Sequence, residues 1–387
     1  MLILGIETSC DETSMSVLEV NKKEKARILS SVISSQIKIH AKYGGVYPAL
    51  AAREHAKNID KVLKLTLREA GLKSVSEVDL IAVTKGPGLA VALIVGITFA
   101  KTLAWKYQKP IVGVNHLEGH IYSNWLPPLG KSLTLRSFSE VGPALNLIVS
   151  GGHTELVLMM EHGQYKIIGE TLDDAAGEAF DKIARLLEMG YPGGPLVSQE
   201  AEKFSKSEIH PLENSRATSR GSRVGRISDL PQIKLPRPMI NSKNFDFSFS
   251  GLKTAVLYLV RKLREESPRS NLFKDPRFDL KRVRPAIAHE AQQAIVDVLV
   301  SKTLKAIKQY KVKSVLLSGG VSANQLLRKT LEEEISNLKG VNFFKPAMAY
   351  TTDNAAMIAL AGYFNYANKR NKKTDWESVL LNANLKL

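Results

Sequence analysis

The chain has 387 residues, of which 24% are charged and one is a cysteine. A single cysteine cannot form an internal disulfide, which excludes a disulfide-stabilised scaffold and is typical of a reducing compartment. The net charge of +16 favours a polyanionic partner such as a nucleic acid. The length predicts two lobes rather than one ordinary core.

The first residues, MLILGIETSC, lack a basic segment and hold only a short apolar run, so we expect no secretion signal. The longest apolar run, LAVALIVGITFA (89–100), is shorter than the roughly 20 residues of a membrane span and predicts a buried helix. We expect a cytoplasmic protein with no membrane partner, although a mitochondrial protein trimmed of its transit peptide would share these features. Cys10 is predicted to be a small buried residue rather than a nucleophile.

The first predicted elements are strands. LILGIET and SMSVLEV predict a hairpin whose turn carries Asp11 and Glu12, and ILSSVISSQ predicts a third strand. Apolar Ile59, Leu63 and Leu67 recur about one turn apart and predict a helix. A strand LIAVTKG, a Gly-Pro-Gly loop, a helix and a strand IVGVN then lead into the sequence NHLEGH.

The second half repeats this theme. ALNLIVSGGHTELVLMM predicts strand, glycine turn and strand, and VKSVLLSGGVSANQLLRKTLEEEI predicts strand, glycine turn and helix. This order predicts an α/β protein with mixed sheets and a ligand cleft between two lobes. We place the lobes at 1–130 and 131–362, followed by a tail at 363–387.

A basic insertion near 205–240 contains the segment RATSRGSRVGR (216–226), which has four arginines and no acid. Two interpretations remain open. The segment is either an arm that contacts phosphates or a solvated surface loop without a function of its own.

Three glycine-bearing turns are each predicted to follow a strand: SGGHT (150–154), YPGGP (191–195) and SGGVSAN (318–324). Glycine lets the backbone approach a phosphate closely, so three such turns favour a nucleotide site. None is a P-loop or a dinucleotide fingerprint.

His116 and His120 lie four residues apart, so on a helix they face the same way and can share one metal ion. A protease of the HExxH type needs its glutamate directly after the first histidine. Glu118 instead follows by two residues, roughly 200° around the helix, so the protease lacks its general base. Asp353 is the best candidate for a third ligand, although helix capping alone would explain an acid there. Such a donor set leaves positions open for a catalytic metal.

The segment LDDAAGEAFDK (172–182) contains several acids near a predicted helix start. Asp181 would bond a ribose or another substrate hydroxyl in a nucleotide site. A capped, solvated helix explains the same acids without any ligand.

Nine motifs occur in one order along the chain: GIETSCDET, TKGPG, NHLEGH, SGGHTEL, DDAAGEAFDK, YPGGP, FSFSGLKTA, SGGVSAN and TDNAAMIA. Together they resemble the bacterial and organellar type of the universal tRNA threonylcarbamoyladenosine transferase family. The resemblance spans residues 2 to about 363. It implies the two-lobed ATPase fold of actin, Hsp70 and sugar kinases, with a central nucleotide cleft.

The resemblance also implies an activity. Family members transfer the threonylcarbamoyl group of threonylcarbamoyl-AMP to the exocyclic amine of the adenosine beside the anticodon, in tRNAs that read codons beginning with A, and release AMP. Bacterial members usually work with a small inactive paralogue and a P-loop ATPase subunit. Organellar members can act alone as homodimers.

Carried over by motif, His116, His120 and Asp353 would hold one divalent metal ion, iron(II) or zinc. Asp11 and Glu12 match acids near the family's active site and are our catalytic candidates, with their roles left open. The substrate site would be formed by Ile148, Val149, Ser150, Gly151, Gly152, Asp181, Gly194 and Asn324, the last three at the adenosine and ribose.

The chain departs from the family pattern in two places. The stretch between YPGGP and FSFSG is longer and richer in arginine, and AYT precedes TDNAAM where a cysteine is common. Two other functions remain as alternatives. A sugar or small-molecule kinase of the same fold would leave the two histidines idle. An RNA-binding ATPase module without transfer activity would bind RNA even without them.

Overall fold

The computed structural model describes residues 1–209, 233–266, 280–368 and 374–387. The arginine-rich segment 216–226 lies outside these residues, so both of its interpretations stay open. The described strands are β1 Leu2–Glu7, β2 Glu12–Val20, β3 Lys25–Ser35, β4 Leu80–Gly86, β5 Ile111–Asn115, β6 Ser132–Thr134, β7 Ala144–Val149, β8 Thr154–Glu161, β9 Gln164–Glu170, β10 Ser314–Ser318 and β11 Asn342–Phe344. The described helices are α1 Ile37–His40, α2 Pro48–Glu69, α3 Ala90–Tyr107, α4 His116–Tyr122, α5 Phe138–Val141, α6 Ala176–Leu186, α7 Gly193–Ile209, α8 Ser250–Glu266, α9 Leu280–Tyr310, α10 Gln325–Ser336 and α11 Ala355–Ala367.

The first sheet has the strand order β5-β4-β1-β2-β3-β6. As predicted, β1 and β2 form an antiparallel hairpin, and β4 runs parallel to β1. Alternation along β1 sends Leu4 and Ile6 into a core shared with α2 and α3, whereas Ile3 joins a core shared with α11. A Cβ on Gly5 would lie 2.1 Å from the carbonyl oxygen of Ala355, so glycine lets α11 rest directly on β1.

The second sheet has the order β11-β10-β7-β8-β9. The predicted hairpin of β7 and β8 is present, and β10 lies parallel to β7. One face of this sheet packs against α6 and α9, and the other shares a core with α4 and α11. The strand predicted before YPGGP is wrong, because this turn follows α6 and opens α7 and therefore joins two helices.

Helix α3 is the one described helix that is long and apolar enough to cross a membrane. Its inner face packs into the core of the first sheet through Leu93, Ile97 and Leu103. Val91 and Ile94 on its outer face are 45% and 55% exposed. The predicted helix is present, but it is buried only on the face that covers the sheet, and its outer face is exposed.

The end of the chain returns to the first sheet. The backbone N–H of Ile111 donates to the carbonyl of Thr374 at 2.9 Å, and that of Asn382 donates to the carbonyl of Lys85 at 2.9 Å. Val379 is buried in the same core as α2 and α3. The last segment thus fastens onto the first sheet, beside the strand that leads into α4. The lobe boundaries at residues 130 and 362 stay predictions.

Candidate active site

The predicted metal ligands converge where α4 meets the start of α11. Asn115 ends β5 and caps α4 by accepting the backbone N–H of Leu117 at 2.9 Å, so the helix starts at His116. The Nε2 atoms of His116 and His120 lie 3.3 Å and 3.2 Å from Oδ1 of Asp353. Donor atoms of the three side chains all lie within 4.8 Å of one another.

His120 shows that this group fits a metal ion. Its side chain is fully buried, and neither ring nitrogen makes a well-formed hydrogen bond, although Nε2 lies 3.2 Å from Asp353. A buried polar atom without a partner is costly, and an ion placed between Nε2 and Asp353 would remove that cost. Two imidazoles and one carboxylate form a donor set that leaves positions open for a substrate.

Glu7, at the end of β1, orients His116. His116 donates from Nδ1 to Oε2 of Glu7 at 3.0 Å, which leaves its Nε2 lone pair for a metal. Thr84 donates to the same carboxylate oxygen at 2.6 Å. Burial alone would raise the pKa of Glu7, but His116 more than offsets this effect and the pKa is lowered. The sequence analysis missed Glu7, although a charged residue closing an apolar strand was a usable signal.

Glu118 points into different surroundings. It is buried and accepts hydrogen bonds from the hydroxyl of Tyr165 at 3.0 Å and the amide of Asn365 at 2.9 Å. These partners belong to β9 and α11. The structure therefore agrees that Glu118 is not a protease base beside the histidines.

Asp353 is not the cap of α11. The cap is Asn354, whose side-chain oxygen accepts the backbone N–H of Met357 at 3.0 Å. The capping alternative for Asp353 is therefore wrong, and its carboxylate is available to a metal. Burial would raise the pKa of Asp353, but His116 and His120 hold it well below its usual range.

The turn between β1 and β2 carries Asp11 and Glu12 and passes beside His116, whose Nδ1 lies 3.2 Å from Ser9 Oγ. One carboxylate oxygen of Asp11 is buried without a hydrogen-bond partner. Burial, then Asp11 and Asp353, raise the pKa of Glu12 to about 10. Burial and Asp11 also raise the pKa of the Cys10 thiol, which therefore stays protonated. Cys10 is partly exposed, but its protonation agrees with the prediction that it is no nucleophile.

The glycine turn after β7 presents an open backbone. The N–H of Ser150 donates to the carbonyl of His153 at 2.8 Å, and the N–H of His153 donates to Ser150 Oγ at 3.1 Å. Gly151 and Gly152 are exposed, and the space where a side chain would stand is empty. Burial, then His116 and His120, lower the pKa of His153 to about 4. Helix α4, which carries the histidines, packs through Leu117 and Ile121 against Ile148 of β7, the strand that leads into this turn.

Ile148 and Val149 were also predicted to line the substrate site. Both are fully buried, and their side chains enter the cores on opposite faces of the second sheet. Only their backbones are left to reach a ligand.

The three residues predicted at the adenosine lie on one wall of the second lobe. Asp181 accepts the backbone N–H of Gly193 at 2.6 Å, at the start of α7. The next residue, Gly194, has open space beside it, and its carbonyl accepts from Ser198 Oγ at 3.0 Å. The amide of Asn324 donates to the same Ser198 Oγ at 3.0 Å.

Tyr191 links this wall to the acidic turn of the first lobe. Burial, then Asp11 and Asp181, raise its pKa well above the usual range. The two carboxylates come from different lobes and act on one phenol. The acidic turn also lies beside the metal ligands, because Ser9 Oγ is 3.2 Å from Nδ1 of His116.

Comparison with known proteins agrees with this geometry. The family model described as tRNA N6-adenosine threonylcarbamoyltransferase matches residues 27–360. A protein of that name from Thermosipho africanus is 42% identical over 388 residues, covering all of both chains. Another from Bacillus subtilis is 43% identical and covers 94% of this chain and 90% of its own.

Among solved structures, full-length HypF in its phosphate- and nucleotide-bound form has a TM-score of 0.51 at 13% identity, over 97% of this chain and 47% of HypF. Likeness at this identity concerns the fold alone. With the two mixed sheets, it confirms the predicted two-lobed α/β fold of the actin-like ATPase class. The family match and the nearly full-length identity together decide the family. This chain belongs to the tRNA N6-adenosine threonylcarbamoyltransferase family.

Proposed function

We propose that this protein transfers the threonylcarbamoyl group of threonylcarbamoyl-AMP to N6 of the adenosine beside the anticodon, in tRNAs that read codons beginning with A. One observation carries the proposal. The group of His116, His120 and Asp353 includes two residues of α4, a helix that packs against β7, the strand leading into the open glycine turn, in a chain that matches this transferase family over most of its length.

The proposed reaction needs little activation. The adenosine amine attacks the carbonyl carbon of the donor, which is a mixed carbamic–phosphoric anhydride. A C–N bond forms, the bond from that carbon to the phosphate oxygen breaks, AMP leaves, and N6 loses one proton. Since the donor is already activated, the protein mainly holds both reactants in position and stabilises developing charge.

His116, His120 and Asp353 would hold one divalent ion, iron(II) or zinc. When bound, such an ion would act as a Lewis acid toward a donor oxygen. Glu7 fixes the ring of His116 through the Nδ1 hydrogen bond and keeps Nε2 directed at Asp353.

The other residues that we expect to contact the reactants come from both lobes. Gly151 and Gly152 can turn backbone N–H groups toward anionic donor oxygens. Asp181, Gly194 and Asn324 would hold the adenosine and ribose of the donor; the last two share Ser198 as a partner. Asp11 and Glu12 come from the first lobe. Asp11 is our candidate to take up the proton that leaves N6, whereas Glu12, with its pKa raised to about 10, already carries a proton at neutral pH and its role is left open.

We also propose that the protein works in the cytoplasm on tRNA, together with a small inactive paralogue and a P-loop ATPase subunit. A homodimer that needs no partners is the alternative. The net charge of +16 supports a polyanionic substrate. The partner subunits follow from the family resemblance alone.

The direct test combines purified protein, unmodified tRNA and threonylcarbamoyl-AMP, with mass spectrometry of the digested tRNA. We expect threonylcarbamoyladenosine from the wild type and none from His116→Ala or Asp353→Ala. Glu118→Gln is the matched control, since this buried acid shares α4 but bonds elsewhere. A folded, metal-loaded protein that stays inactive with both partner subunits present would contradict the proposal and favour the kinase.

A further inference from the structure

The loop between α1 and α2 exposes two aromatic rings. Tyr43 and Tyr47 are 65% and 57% exposed, and their ring centroids lie 6.0 Å apart with the planes tilted by 32°. We call residues 41–47 the tyrosine loop. Large aromatic side chains are rarely left in solvent as a pair, so this surface is suited to a flat, partly apolar ligand.

The surroundings of the tyrosine loop are positively charged. Lys38, Lys42 and Arg53 are exposed, and the stretch 36–53 contains no aspartate or glutamate. Cations beside exposed rings are the combination that binds unpaired nucleotides, since the rings stack on bases while the cations attract the backbone phosphates.

The tyrosine loop contacts α6, the helix that carries Asp181. Arg185 of α6 donates from its guanidinium to the carbonyl of Gly44 at 2.7 Å and so joins the loop to the second lobe. Gly44 has a φ of 69°, in the left-handed region that favours glycine. Arg185 stands one helical turn after Asp181, which was placed on the adenosine wall. The loop is therefore next to the proposed reaction site.

A buried chain of hydrogen bonds connects the tyrosine loop to the acidic turn. Tyr47 donates its backbone N–H to His40 Nδ1 at 3.3 Å, so His40 donates from Nε2 to Gln36 Oε1 at 3.1 Å. The amide of Gln36 donates to His55 Nδ1 at 3.4 Å, and His55 donates from Nε2 to the carbonyl of Cys10 at 3.0 Å. Each hydrogen bond fixes which atom of the next side chain donates and which accepts. The chain of bonds therefore holds the loop in a defined position relative to Asp11 and Glu12.

We propose that the tyrosine loop is a stacking platform for an unpaired tRNA nucleotide that flanks the modified adenosine. This inference rests on the proposed function and adds the surface that presents the RNA. Tyr43 and Tyr47 stack on the base, Lys42 and Lys38 attract its phosphates, and the buried histidine chain keeps the platform in register with the acidic turn.

The test measures tRNA binding to the full-length protein at fixed ionic strength. The tRNA carries 2-aminopurine at the position directly 3′ of the target adenosine, so stacking on a ring is read as fluorescence quenching. The Tyr43→Ala/Tyr47→Ala variant should bind this tRNA about tenfold more weakly or worse, and should lose the quenching. Its affinity for AMP should not change.

Two further variants sharpen the result. Tyr43→Phe/Tyr47→Phe keeps both rings and should bind and quench as the wild type does. Tyr258→Ala removes an equally exposed tyrosine from α8, 63% exposed, and should change neither signal. The proposal is overturned if Tyr43→Ala/Tyr47→Ala binds tRNA normally or if the wild type shows no quenching. It is also overturned if Tyr43→Phe/Tyr47→Phe or Tyr258→Ala loses binding and quenching as the double alanine variant does.

These measurements separate the inference from the proposed function, because they use neither the donor nor the transfer step. If the protein transfers no threonylcarbamoyl group but shows tyrosine-dependent quenching, the stacking platform is supported and the proposed function is refuted. If the enzyme is active but its Tyr43→Ala/Tyr47→Ala variant binds tRNA normally, the proposed function is supported and the stacking platform is refuted.

Discussion

Glu7 and His116 are 109 positions apart in the chain, yet the carboxylate of one accepts the Nδ1–H of the other at 3.0 Å. Glu7, the last residue of β1, thus sets the tautomer and the ring orientation of His116, the first residue of α4. Carboxylates in this position usually raise the basicity of a ligating histidine. The affinity of the site for metal therefore depends on β1 as well as on α4.

The first prediction concerns this carboxylate. Glu7→Gln should weaken metal binding by about 10- to 100-fold, since the amide supplies no negative charge behind His116. Competition against a chelator of known affinity measures the change. Glu118→Gln alters an equally buried acid that bonds Tyr165 and Asn365 instead, and it should retain metal affinity. An equal loss in both variants would show a general disturbance of α4.

The second prediction concerns Glu155, which is 7% exposed, faces Glu170 across β8 and β9, and has one unpartnered oxygen. Burial, then Glu170, raise its pKa from 4.5 to about 7. The folded state therefore binds more protons than the unfolded state between these values, and stability falls as the pH rises through that window. Glu155→Gln should be more stable than the wild type by up to about 3 kcal/mol at pH 8.

Urea unfolding at pH 4.5 and pH 8 checks this prediction. The advantage of Glu155→Gln should be much smaller at the lower pH, where the wild-type carboxyl is protonated in the folded state and about half protonated in the unfolded state. Glu161→Gln, on the exposed end of the same strand, is the control and should show no such pH dependence. A constant difference between wild type and Glu155→Gln would refute the argument.

The third prediction tests the contact between β1 and α11. A Cβ at Gly5 would lie 2.1 Å from the carbonyl oxygen of Ala355, which cannot move without shifting the helix. Gly5→Ala should destabilise the protein by about 1–3 kcal/mol and also weaken metal binding, because Ala355 follows Asp353 by two residues. Urea midpoints and chelator competition measure the two effects.

Gly251→Ala is the matched control for that change. Gly251 lies in helix α8, and its new Cβ would be 3.7 Å from Pro238, the nearest atom outside that helix. Alanine suits a helix better than glycine, so this variant should be as stable as the wild type or slightly more so. If both alanine variants lose stability alike, the close approach of α11 to β1 is not the cause.

The fourth prediction concerns Arg328, a buried side chain of α10. Its guanidinium donates to the carbonyl of Ser322, beside Asn324, and to the carbonyl of Pro346 at 2.8 Å, in the segment that leads to Asp353. Arg328→Met leaves both carbonyls unpartnered and should weaken AMP binding more than tRNA binding. Arg328→Lys should recover only part of this loss, since lysine lacks the planar fork.

Isothermal titration with AMP and with tRNA gives the two affinities. Lys329→Met changes the neighbouring residue, an exposed lysine paired with Glu333, and should leave both affinities unchanged. Equal losses for AMP and tRNA in Arg328→Met would indicate general unfolding rather than a misplaced adenosine wall.

Local patterns sufficed for much of the fold. Both hairpins follow from apolar runs broken by polar turns, and the spacing of His116 and His120 alone predicts a shared face. Asp353 needed the family resemblance, since helix capping explained it equally well until Asn354 proved to be the cap.

Long-range relations could not be read in this way. Nothing near Glu7 in the sequence indicates a histidine 109 positions later. YPGGP was assigned to the end of a strand because glycine turns follow strands and helices alike, so the turn itself does not identify the element before it. Ile148 and Val149 belong to a site motif, but strand alternation points their side chains into two cores.

The distance along the chain between the two halves of the metal group has a consequence for biosynthesis. A nascent chain carries both histidines of α4 long before Asp353 leaves the ribosome, and α11 must then pack on β1 to bring the carboxylate into place. The full donor set therefore exists only after Asp353 has been synthesised and α11 has packed on β1. A chain truncated before Asp353 would lack the three-residue site, whatever the state of its two histidines.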